Sequence, residues 1–195
     1  MTATFLFLRH AETAISERRQ WHGTADPHLS PRGRAHAHEA AGTLAALGHD
    51  AASVVTSDQR RAVETAEVLG AVLRCPVVAD ADLRERHLGD WAGLGLRAIE
   101  AGWPGQLLAW RQRRIPGPPG GETDEEVAAR VTRALKGCAA GGSGRLRLVV
   151  AHAGLLRGLL AASGMADEEV PPLGGRWLTV PPGHRPVAVG EVASL

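Results

Sequence analysis

The 195 residues carry 22 Lys and Arg against 21 Asp and Glu, a net charge of +1 with acids and bases interspersed. That balance excludes a general nucleic-acid or membrane-surface binder, which would show a basic patch or run, so attraction for an anion must be local. Length suits one domain over 1–195 with a sizeable core, and Cys75 and Cys138, each without a nearby partner, suggest neither a disulfide framework nor a thiolate metal site.

In chain order, an apolar strand over 4–8 breaks into Arg9-His10-Ala11-Glu12-Thr13, followed by a polar loop over 11–29. Ser30 as N-cap and Pro31 at the first helical position predict a helix ending near Gly48. A strand over 53–56 leads to Ser57, expected to cap a helix that starts at Gln59 or Arg60 and runs to Leu73, before a strand over 77–79. Glycines and prolines break the pattern over 83–119, an excursion expected to cover a site, with Trp91, Trp103 and Trp110 packing within it. Thr123 with Glu126 forms a capping box for a helix reaching about Ala139. A strand over 146–151 then leads into His152, a buried helix over 154–163, and strands over 176–180 and 187–192. The alternation predicts an α/β fold: a three-layer sandwich, a mainly parallel central sheet with helices on both faces. The amino terminus lacks the pattern of a signal peptide, and His152 and Arg157 interrupt the apolar run around them, so a soluble cytoplasmic protein is expected.

Three of these strands discharge into cationic or titratable residues. If they are neighbours in a parallel sheet, Arg9, His10, Arg61 and His152 meet at the carboxyl edge, where open α/β sheets bind ligands. Such a cluster suits a phosphate or a carboxylate. Arginine forks can grip phosphate oxygens, and a neutral imidazole can attack phosphorus to give a phosphohistidine. Glu85, in Leu83-Arg84-Glu85-Arg86-His87, is placed to protonate a leaving oxygen and then to take a proton from water. His36 and His38 lie two apart on a predicted helix and make a poor chelating pair, and His28 and His87 fall in loops near the site.

Together these segments resemble the histidine phosphatase superfamily, which includes the cofactor-dependent phosphoglycerate mutases. Arg9-His10-Ala11-Glu12-Thr13 is similar to its Arg-His-Gly motif, and 26–33 to its Asp-x-Pro-Leu-Thr-x-x-Gly segment. Residues 57–66 resemble its Ser-x-Leu-x-Arg-Ala-x-x-Thr-Ala helix start, Leu83-Arg84-Glu85 its acid-bearing loop, and Ala151-His152-Ala153-Gly154 its Ser-His-Gly-Gly. The resemblance implies His10 as nucleophile, Arg9, Arg61 and His152 as the phosphate pocket, and Glu85 as proton donor, with no metal or cofactor. Ser16, at a position where many members have asparagine, and His22, in a loop near the site, are expected as further substrate or phosphate contacts. Ala11 replaces the usual glycine, a strain of roughly 1–2 kcal/mol if φ there is positive.

The implied activity is hydrolysis of a small phosphorylated metabolite. Alternatives are a phosphoglycerate mutase, an α-ribazole phosphatase of cobalamin synthesis and, last, a non-catalytic phosphate-binding module. The short stretch from Gly93 to Gly121 favours hydrolysis over mutase chemistry, because the related mutases carry extra segments there. Family relatives also make a homodimer an expectation, with no nucleic-acid or membrane partner.

Overall fold

The computed structural model describes residues 3–17, 25–48, 51–139, 146–165, 169–181 and 186–194. Six strands form one sheet: β1 (Ala3–Arg9), β2 (Ala51–Thr56), β3 (Val77–Ala79), β4 (Leu146–Ala151), β5 (Gly174–Val180) and β6 (Val187–Ser194). Their order is β3-β2-β4-β1-β5-β6. The first four run parallel, while β5 lies antiparallel to β1 and to β6. The expected three neighbours, β2, β4 and β1, therefore sit side by side. Register brings their ends level: Arg9 pairs with Ala151, and Thr56 with Val150.

Side-chain alternation along β1 explains the layers. Phe5 and Phe7 enter one core with Val127, Val131, Leu135, Leu155 and Leu159, whereas Leu6 and Leu8 enter the other with Ala41, Leu44, Ala62, Ala66 and Leu69. The first core belongs to α6 (Asp124–Ala139) and α7 (Ala153–Ala162), the second to α2 (Pro31–Ala46) and α3 (Arg60–Leu73). A strand apolar on both faces must be covered twice, and the three-layer sandwich follows.

Helix ends mostly follow the sequence signals. Ser30 caps α2 by accepting from the Gly33 N–H at 3.0 Å, and Thr123 and Glu126 exchange their capping-box bonds at 3.2 and 2.8 Å. Gly33 is required for packing as well: a Cβ there would lie 2.0 Å from the Glu12 carbonyl oxygen. Two expectations are corrected. The segment over 11–29 is not all loop, since Ala14–Glu17 forms the short helix α1. Nor does Ser57 cap α3: its hydroxyl reaches only the Gln59 N–H, at 3.2 Å, and Asp26 accepts from the Arg60 N–H at 2.8 Å instead. A carboxylate from a distant loop carries the negative charge that a helix start favours.

The excursion holds α4 (Leu96–Gly102), α5 (Gln106–Arg111) and 3₁₀ turns at Ala81–Leu83 and Gly89–Trp91. Trp91 is fully buried there with Ile99 and Leu107, its ring edge-on to Trp110 at 5.7 Å, so the tryptophans pack the excursion as expected. Arg130 ties it down, bonding both Glu122 oxygens at 2.7 and 2.8 Å and the carbonyls of Asp82 and Arg84 at 2.8 and 2.6 Å. Burial pushes the Glu122 carboxyl up, but Arg130 and the His87 N–H outweigh it and hold the group below its ordinary range. A carboxylate depressed in the fold stabilises above its unfolded pKa, and that stabilisation is lost as pH falls through the folded value. Glu122→Gln should therefore cost roughly 1–3 kcal/mol at neutral pH. Thermal melts of the two proteins should begin to approach one another as pH falls below about 4, near the unfolded carboxylate value, and meet only below the depressed folded value; a gap that persists in strong acid would contradict this.

Candidate active site

At the carboxyl edge of β1 and β4, His10 and His152 face one another with ring centroids 5.3 Å apart and planes tilted by 60°. Both are buried, as is Arg61 in the first turn of α3. Arg61 Nε donates to His10 Nε2 at 3.3 Å. Arg9, the last residue of β1, is anchored by Nη1 to the Val170 carbonyl at 2.8 Å. The residues that sequence places at three strand ends thus form one cluster.

The imidazole of His10 is oriented by its own backbone. Nδ1 lies 2.7 Å from the Ala11 carbonyl oxygen, which can only accept, so the ring proton sits on Nδ1. Nε2 then presents a lone pair toward the arginine side. Ala11 is held in turn by Thr65, whose hydroxyl accepts from the Ala11 N–H at 3.0 Å and donates to the Arg61 carbonyl at 2.8 Å. The missing glycine costs nothing here, because Ala11 is not among the residues with positive φ and its methyl packs against Leu29, Ala37 and Ala40.

Burial lowers the pKa of both Arg9 and Arg61 from the ordinary guanidinium value, with Glu85 the leading opposing influence in each case. Arginine stays cationic through such shifts, so the site carries two desolvated positive charges. Arg61 is partly balanced by Asp26 Oδ1 at 3.1 Å and by Gln59 Oε1 at 3.3 Å. This arrangement favours an anion that can take donors from both forks.

Glu85 enters from the excursion. Arg84 pairs with Asp58 and Arg86 with Asp124, so neither neighbour claims it. Its Oε1 accepts from the Arg86 N–H at 2.8 Å and its Oε2 from the Gly154 N–H at 3.3 Å, in the first turn of α7. Glycine is needed at 154: a Cβ would stand 2.6 Å from Glu85 Oε1.

Of the other expected contacts, the Ser16 side chain and His22 lie outside the described residues. His28 is exposed and engaged with Glu64 and with Arg60 Nη1, and His87 is exposed and accepts from the Gly89 N–H. Asp26, Gln59 and Thr65 are the supporting residues that sequence reasoning overlooked as such, although all three fall within quoted motif segments. Gln59 stands where the resembled motif has leucine, and its Oε1 accepts both from Arg61 and from the Glu85 N–H at 2.8 Å. Gln59→Leu should lower kcat/KM about 5–10-fold, the worth of one half-buried acceptor, with little change in Tm. Unchanged kinetics would mean that Asp26 alone holds the guanidinium.

Residues 5–175 match the sequence model of the Histidine phosphatase superfamily (branch 1). The chain belongs to that family. A glucosyl-3-phosphoglycerate phosphatase of Mycolicibacterium vanbaalenii is 40% identical over 179 residues, spanning 87% of this chain and 78% of the relative. One from Mycobacterium tuberculosis is 36% identical over 192 residues, spanning 88% and 85%. The solved structure of a mycobacterial glucosyl-3-phosphoglycerate phosphatase with VO3 superposes with a TM-score of 0.80 at 32% identity, covering 98% of this chain and 99% of that one. The resemblance drawn from the motifs, and the fold it implied, are both borne out.

Proposed function

We propose that the chain hydrolyses small phosphomonoesters through a phosphohistidine on His10. The observation that carries this reading is the tautomer: with Nδ1–H given to the Ala11 carbonyl, Nε2 has its lone pair facing the Arg61 fork. A phosphate gripped by Arg9 and Arg61, with His152 alongside, would present phosphorus to that nitrogen. Attack forms the N–P bond and breaks the bond from phosphorus to the ester oxygen, which takes its proton from Glu85. Water then attacks the phosphohistidine while the Glu85 carboxylate receives its proton, releasing inorganic phosphate and restoring neutral His10.

The names of the relatives put glucosyl-3-phosphoglycerate first among the substrates to try. Both cores share one sheet, which supports reading 1–195 as a single domain. Neither Cys75 nor Cys138 is in a disulfide, in keeping with a cytoplasmic protein, and no helix among the described residues is long and apolar enough to cross a membrane.

Trapping tests the mechanism. Rapid quenching in alkali during turnover of a phosphorus-labelled ester should leave label on the protein that acid then removes, as expected for a phosphoramidate. Turnover without any such label would sink the covalent route.

A further inference from the structure

Two consecutive residues between β2 and α3 clasp two consecutive residues of the excursion, each pair 26 positions apart in sequence. The Asp58 carboxylate accepts from Arg84 Nε at 2.7 Å and from Arg84 Nη2 at 2.5 Å, and Gln59 Oε1 accepts from the Glu85 backbone N–H at 2.8 Å. The excursion is thereby tied to the sheet edge at the very residue that carries the proposed proton donor.

The two ties are unequal. The Arg84 side chain is 61% exposed, and an ion pair so open to solvent contributes little. Gln59 is half-buried, and the Glu85 N–H has no second acceptor among the described residues. The neighbours also force the orientation of the Gln59 amide. Arg61 Nη2 and the Glu85 N–H both donate, so the amide oxygen faces both of them.

Distance decides which of these two bonds matters more. The bond to Glu85 is 2.8 Å long and the bond to Arg61 3.3 Å. Without Gln59, Arg61 still holds Asp26 Oδ1 at 3.1 Å and His10 Nε2 at 3.3 Å, whereas the Glu85 N–H would lose its acceptor outright. Leucine, which the resembled motif has at this position, has no acceptor to offer.

We propose that Gln59 is a positioning residue for the proton donor: by holding the Glu85 backbone on the oxygen that also meets Arg61, it sets the carboxyl in register with the phosphate. The proposal rests on the phosphatase reading and adds a residue to it. The Gly154 N–H steadies the carboxyl at its tip, at 3.3 Å, while Gln59 fixes the root from which the side chain extends. A donor out of register fails first with leaving groups that cannot depart unprotonated.

The loss of roughly 5–10-fold in kcat/KM expected of Gln59→Leu should therefore fall on esters of aliphatic alcohols. With p-nitrophenyl phosphate the variant should stay within about 2-fold of native. Asp26→Asn, which weakens another Arg61 contact without touching Glu85, should instead cost the same factor for every ester. In a Glu85→Gln background, adding Gln59→Leu should cost less than about 2-fold, because the two residues act through one proton. Hydrogen exchange at the Glu85 amide reads the tie without turnover, and it should run about 10-fold faster in Gln59→Leu. Equal losses across the esters, multiplying losses in the double variant or an unchanged exchange rate would each overturn the positioning role and leave the phosphatase standing. Faster exchange in the variant, with no ester hydrolysed by the native chain, would keep the tie and overturn the phosphatase reading.

Discussion

His10→Ala should reduce phosphoester turnover by roughly 10⁴-fold or more, because it deletes the atom that would bond phosphorus and the other groups act only through that bond. The cluster around it predicts a protein that still folds: Arg61 keeps Asp26 and Gln59, and Thr65 keeps the Ala11 N–H, so the pocket retains its supports. The variant should thus bind phosphate while failing to turn over. Steady-state assays with p-nitrophenyl phosphate check the first half, and calorimetric titration of inorganic phosphate the second. A variant that retains more than a few per cent of native turnover would show that water, not the imidazole, attacks phosphorus.

Arg9, His10 and His152 were legible because a parallel sheet fixes where a strand end points. An apolar run that stops at a cation or an imidazole already says which residue faces the crevice, and sequence order suffices to line up β1, β2 and β4. Arg61 was legible for a related reason, in the first turn of the helix that follows β2. The Ser30 and Thr123 caps are local in sequence and could be read as such.

What escaped was contact made across distance. Asp26 caps α3 from 34 positions away, a partner that no local signal names, so Ser57 looked like the better candidate. α1, of four residues, is too short to show helical periodicity. The proton on His10 is fixed by a backbone carbonyl, which every residue possesses, and only coordinates can show that this one lies in reach. The fit of Glu85 against Gly154 depends on bringing the excursion back over α7, across 69 positions.

That last contact sets the remaining large effect. Glu85→Gln keeps the shape of the side chain and its acceptor toward the Gly154 N–H but removes the transferable proton, so turnover should fall by about 10²–10⁴-fold for alkyl esters. For p-nitrophenyl phosphate, whose leaving group departs without help, the loss in the first half-reaction should be far smaller. Gly154→Ala supplies an independent route to the same outcome, since the new methyl would lie 2.6 Å from Glu85 Oε1 and must displace the carboxyl while leaving its chemistry intact. Both variants should therefore steepen the dependence of kcat/KM on leaving-group pKa, measured across a series of phenyl and alkyl phosphates. Equal losses across the series in both would assign Glu85 to holding the excursion in place, with the proton coming from elsewhere.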